Sequence, residues 1–268
     1  MTAREIIQRV QQTLAAAGIA WRTETVDTFK AGSPDIEVRS IATTGMATFD
    51  LLRRAVARGH NFVITHEPTF YNHQDQTTTL EKDPTYLAKQ QFIAEHNLVV
   101  FRFHDHAHML RPDPLIVGSA RALGLTPYAQ PDNPRQYTIP ATSLRALVSD
   151  FARRLNGRSI RVMGDPDMVV RRIVLGPGSG VPVLASSPEI FDLSIGGETA
   201  ESGGNAEYIL DAAAVGQSRA MVLLGHMLSE DWGMQEVADW LRPIVSGVTV
   251  EWVPAGEPFG APVRRPQS

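Results

Sequence analysis

The chain has no cysteine among its 268 residues. It can form no disulfide and can offer a metal no thiolate. Any ion it holds must be taken by imidazole and carboxylate, which favours Zn, Mn, Fe, Ni or Mg over copper(I) or an iron–sulfur cluster. Lysine is almost as scarce, with three in the whole chain. The arginines are scattered, the net charge is −4 and the pI is near 6.1. A nucleic-acid surface needs clustered cations, so that class of function is argued against. No apolar run is long enough to span a bilayer. The first 18 residues read as an amphipathic helix rather than a charged end followed by an apolar block, so a cytoplasmic location is expected. The glycine-rich run Gly176-Pro177-Gly178-Ser179-Gly180 lacks the Lys-Ser/Thr of a P-loop and the spacing of a dinucleotide fingerprint. It reads as a tight strand-to-helix turn, or else as a backbone-amide cradle for an anion.

What the chain does have is a 43% hydrophobic content with 20% charge, enough for a large α/β domain or two packed lobes. Its distinctive stretch is Val63-Ile64-Thr65-His66-Glu67-Pro68. Residues 50–58 read as a helix ended by Gly59, and residues 61–65 as a buried strand. A histidine and a glutamate therefore stand at the carboxyl end of a strand, where open α/β sheets keep their ligand sites.

Residues 98–108 repeat the pattern with Val99-Val100-Phe101-Arg102-Phe103 running into His104, Asp105, His106 and His108. If the extended conformation persists, the three histidines share one face and Asp105 takes the other. A third instance closes the strand expected at 219–224 with Gly225-His226, followed by Ser229 and Glu230. Glu230 and Asp231 are expected to open the last long helix with Ser229 as its cap. The strand at 190–195 ends in Gly196-Gly197-Glu198.

Other expectations are a strand with one wet face at 36–43, helices at 83–95, 113–123 and 206–215, and a disordered tail after Pro258. Tryptophans 232 and 240 read as core, and His60, His73 and His96 as loop or helix-end residues. Helix, glycine, strand, histidine occurs in both halves, so the same chemistry is delivered more than once. A shared metal site explains that better than chance.

At these residues the chain resembles the NIF-three-like superfamily, dinuclear-metal-centre hexameric proteins often described as GTP cyclohydrolase I type 2 homologues. The carriers are THEPTF, FRFHDHAHM, the strand ending in GGE, and GHMLSE. His66, His104, His226 and Glu230 match the family pattern. Glu67 stands where a second histidine is usual, and His108 where an aspartate is usual.

The resemblance implies an α/β fold of two related lobes with mixed sheets and flanking helices, and a metal site in the cleft between them. It implies two divalent ions (Zn, Mn, Fe or Ni) on His66, Glu67, His108, His226 and Glu230. The two departures offset each other: three imidazoles and two carboxylates remain. Glu67, Asp105 or Glu230 is left to take the bridging role.

A homo-oligomer is also implied, a hexamer built as a trimer of dimers. The first lobe is expected over 1–125, a connecting segment or small crossover subdomain over 126–187, and the rest of the second lobe over 188–268. Two divalent ions activate water near neutral pH and clamp both oxygens of a displacement. Metal-assisted hydrolysis of a ring C–N, amide or phosphoester bond in a nucleotide-like or other small substrate is the expected activity. His104 is expected either to support a ligand from behind or to act as the acid–base group, and Glu198 to orient a substrate or another ligand. The alternative is a non-enzymatic metal-loaded scaffold, adaptor or metal store.

Overall fold

The computed structural model describes residues 1–184, 191–202 and 204–259. The expected strand start at Ile190, the boundary at 187/188 and the tail from 260 onward lie outside these. The chain forms two compact units. The first comprises Met1–Gly118 and Asp231–Ala255, the second Ser119–Glu230 and the described residues after Ala255.

The first unit opens with α1 (Ala3–Ala16), started by a capping box in which Thr2 and Glu5 satisfy each other's backbone N–H groups. β1 (Phe29–Ala31), β2 (Ser40–Thr44), β3 (Phe62–Thr65), β4 (Val99–Arg102) and β11 (Thr249–Trp252) make a five-stranded sheet ordered β1-β4-β3-β2-β11. Its last four strands are parallel, and β1 is antiparallel at the edge.

Both faces of this sheet are covered. Ile41, Phe62, Ile64, Val99 and Phe101 pack with α1 and with Val237 and Leu241 near the chain's last helix end. Ala42, Val63 and Val100 pack oppositely, with α2 (Phe49–Ala57) and α3 (Pro84–Glu95) supplying Leu51, Leu52 and Ile93. The expectation of a wet face on the early strand is corrected here. That strand is confined to Ser40–Thr44 and lies between two neighbours, so its residues 41–44 are all buried.

The second expected extension also fails. After β4 the backbone coils at once into α4 (Asp105–Met109), so His104, His106 and His108 do not share one extended face. α5 (Pro114–Leu123) follows.

The second unit holds β5 (Ala129–Gln130), β6 (Asn133–Ser143), β7 (Arg161–Met163), β8 (Val169–Gly176), β9 (Leu193–Gly196) and β10 (Ala220–Leu223), ordered β5-β6-β8-β9-β10-β7. The central β8, β9 and β10 are parallel. α6 (Leu144–Leu155) buries Leu144, Leu147, Phe151 and Leu155, and α7 (Asn205–Ala214) packs Ala206 and Ile209 with Val174, Met221 and Leu223. Residues 126–187, expected as a connecting segment or small crossover subdomain, supply four of that sheet's six strands. β11, expected with the second lobe, pairs β2 in the first unit's sheet.

α8 (His226–Leu241) begins at the histidine itself, four residues before the expected start. Ser229 is accordingly no cap. Its hydroxyl, inside the helix, donates to His226 O and accepts from Gly178 N. Asp231 accepts from the backbone N–H groups of Gly45 and Ala255 rather than resting at a helix start.

Candidate metal centre

β3 is fully buried and ends at Thr65, and the chain stays paired just beyond it. His66 N donates to Thr44 O at 3.0 Å and Glu67 N to Gly45 O at 2.8 Å. The first histidine is thereby fixed on a rigid strand extension. β4 runs parallel to β3 and turns into α4 directly, which sets His104 and His108 beside it. The ring centroids are 4.5 Å apart for His66 and His104, 5.0 Å for His66 and His108, and 5.1 Å for His104 and His108. One ring nitrogen from each of the three lies within 4.8 Å of the others.

The hydrogen bonds decide which nitrogen. His66 Nδ1 faces Phe103 O at 3.2 Å, His104 Nδ1 faces Asp105 Oδ1 at 2.9 Å, and His108 Nδ1 faces Asp113 Oδ2 at 3.1 Å. A carbonyl or carboxylate oxygen only accepts, so each Nδ1 donates and the lone pair falls on Nε2. Oriented imidazoles backed by carbonyl or carboxylate oxygens are how metal-binding histidines are held. Burial works to raise the Asp105 carboxyl, but donors from His104, Thr25 Oγ1 and the Val26 N–H outweigh it and hold it at about 2. Asp105 is thus a fixed anion behind His104.

Glu67 lies close to the buried Arg102, with Oε2 3.5 Å from Nη2. Arg102 also donates from Nε to His66 O and from Nη1 to His73 O. His73 comes within 5.7 Å of His104, ring to ring. His106, third of the sequence cluster, is turned away. It stacks on Trp21 at 3.8 Å, Nδ1 donates to Asp27, and Nε2 accepts from Arg22 N. His60 is buried and bonded to Ser40 and Glu251, and His96 closes α3.

In the second unit, β10 delivers His226 as α8 begins. Its Nδ1 faces Glu198 Oε1 at 2.9 Å, and its Nε2 faces Glu230 Oε2 at 3.0 Å, one helical turn on. Glu198 is therefore placed to orient His226. The GGE loop is tied to the glycine-rich loop, since Gly197 N and Glu198 N both donate to Gly178 O. A Cβ at Gly178, which has φ +66°, would stand 2.1 Å from Glu230 Oε1. The glycine-rich loop follows a strand as expected, but it serves as the wall against which Glu230 packs.

Two important residues carried no recognisable motif. Asp27 accepts from the backbone N–H groups of His104, Asp105 and His106, closing the start of α4. Arg102 braces the carbonyls of both His66 and His73. An arginine inside an otherwise apolar strand was the available hint of the latter.

An α/β chain whose parallel strands hand histidines and carboxylates to their carboxyl ends carries groups that could hold a metal ion. The sequence matches the family model Duf34/NIF3 (NGG1p interacting factor 3) over residues 1–255, and the chain belongs to that family. No curated protein matches it. Among solved structures it is similar to Staphylococcus aureus protein SA1388, with TM-score 0.72 and 16% identity over 97% of this chain and 98% of that one. It is equally similar to ybgI, a protein of unknown function, with TM-score 0.72 and 20% identity over 97% of this chain and 100% of that one. A Bacillus cereus protein related to NIF3 follows at TM-score 0.68 and 13% identity, covering 97% and 98%. At these identities the likeness is one of fold.

Proposed function

We propose that the chain is a metal-dependent hydrolase with a dinuclear centre, acting on a ring C–N, amide or phosphoester bond of a nucleotide-like or other small molecule. His66, Glu67, His108, His226 and Glu230 hold two divalent ions. The reading rests on one observation above all: His66 and His108 converge in the first unit, each giving Nδ1 to an oxygen so that the lone pair falls on Nε2, with His104 ring to ring beside them. The donor set is nitrogen and carboxylate oxygen, which suits Zn, Mn, Fe or Ni. When bound, such ions supply Lewis acidity and activate water near neutral pH.

The chain's own groups do the rest. His104, with the Asp105 carboxylate behind Nδ1, moves a proton to or from the reacting bond. Glu198 fixes the ring of His226. Arg102 fixes the backbone under His66 and balances the charge of Glu67. Homo-oligomerisation as a hexamer is part of the same proposal and rests on family likeness.

Metal analysis of the purified protein beside the double variant His226→Ala, Glu230→Ala tests the reading. About two equivalents per chain, lost or halved in the variant, are expected for a two-ion centre. Turnover assays on phosphoesters, amides and nucleotides follow. There His104→Gln is expected to keep its metal and lose about 10²–10⁴-fold in rate. Metal retained with no turnover by any preparation would leave a scaffold or metal store instead.

A further inference from the structure

The second unit contains a cavity of 620 Å³ lined chiefly by Val162, Met163, Ala206, Leu210, Met221 and Leu223. That volume is the size of a small-molecule site. Arg161, Thr199 and Glu201 are its charged and polar members. Val162 and Leu210 are 46% and 61% exposed, so apolar side chains flank the opening rather than being folded away. Its position ties it to the candidate centre. Thr199 comes directly after Glu198, whose carboxylate holds His226, and Glu201 follows two residues later. Leu223 ends β10, three residues before His226. The cavity thus lies beside the carboxyl end of a parallel strand.

We propose that this cavity is the subsite for the body of the substrate, and that the substrate is a small, mainly apolar amide or cyclic C–N compound with at most one anionic group. This deepens the hydrolase reading and rests on it. The lining offers one cation and one carboxylate, which cancel. A polyphosphate would gain a single ion pair at Arg161 and meet repulsion at Glu201. An aromatic or branched aliphatic body would instead cover the apolar walls, and one anionic group would find Arg161.

The test uses 8-anilinonaphthalene-1-sulfonate, an aromatic body with one anionic group, titrated into the metal-loaded full chain and followed by fluorescence. The comparison protein is Val162→Asp, Leu210→Asp, both at exposed positions, with its melting temperature checked. Should that pair fail to fold, Leu210→Gln alone takes its place. The expected result is saturable binding, weakened about tenfold in the variant, with equal metal content in both proteins. Acetanilide, a neutral aromatic amide, should displace the probe, and GTP should not. Unchanged probe affinity in the variant, or displacement by GTP and not by acetanilide, would overturn the proposal. Absence of metal from both proteins would sink the hydrolase reading while the probe titration still reports on the cavity.

Discussion

His106 and His108 are separated by one residue and have opposite fates, and the cause is backbone geometry. A strand would have put both side chains on one face, whereas α4 turns them about 200° apart around the helix axis. His106 is then consumed by Trp21, Asp27 and Arg22, and His108 is left beside His66. The sequence could mark the cluster as unusual but could not tell the two apart, because Trp21 and Asp27 lie some 80 residues away. Asp113, equally silent, holds His108 at Nδ1. Asp113→Asn should therefore lower metal affinity about 10–100-fold with little loss of fold, measured by competition with a chromogenic chelator. Gly178→Ala acts on the other half. A methyl group there must displace the Glu230 carboxylate, and the same assay should show affinity reduced about tenfold or more.

At the scale of elements, local signals were read well where a helix or strand is long and periodic, and poorly at its ends. α1, α2 and β3 follow from apolar spacing. The starts of α4 and α8 did not, because neither carries a side-chain cap of its own in the sequence just before it. α4 is started by Asp27, from a distant loop. Asp27→Ala would leave three backbone donors and the His106 ring without their acceptor, and should cost on the order of 3 kcal/mol in chemical denaturation.

α3 supplies a pH signature. Its Lys89 is 3% exposed, donates to Thr69 O and lies over the Phe70 and Tyr71 rings. Burial lowers its ammonium to about 8 from 10.5, against the raising field of Asp75. Between those values the unfolded chain holds more protons than the folded one, so stability should rise with pH across that window and fall on return toward 8. Lys89→Met should remove this rise, read from melting temperatures between pH 7.5 and 10.5.

At the scale of the whole molecule, the features legible in advance were those that depend on composition and on repeated strand ends. The exclusion of thiolate ligands follows from composition, and among the described residues no helix is long and apolar enough to cross a membrane. The assignment of 126–187 to one sheet and of β11 to the other was not legible, since strand order depends on pairing between distant segments. A chain that offers nitrogen and carboxylate donors in both units should have its stability linked to metal. An ion that binds only the folded state adds about 2.7 kcal/mol at a hundred times its Kd. For a chain of this length that corresponds to roughly 5 °C in melting temperature. Chelation followed by dialysis should lower the melting temperature by about that amount, and adding back Zn or Mn should restore it. The variant His66→Ala, His226→Ala should melt at one temperature with and without metal. If it responds as the unaltered chain does, the stabilising ions are bound elsewhere and the assignment of these ligands falls.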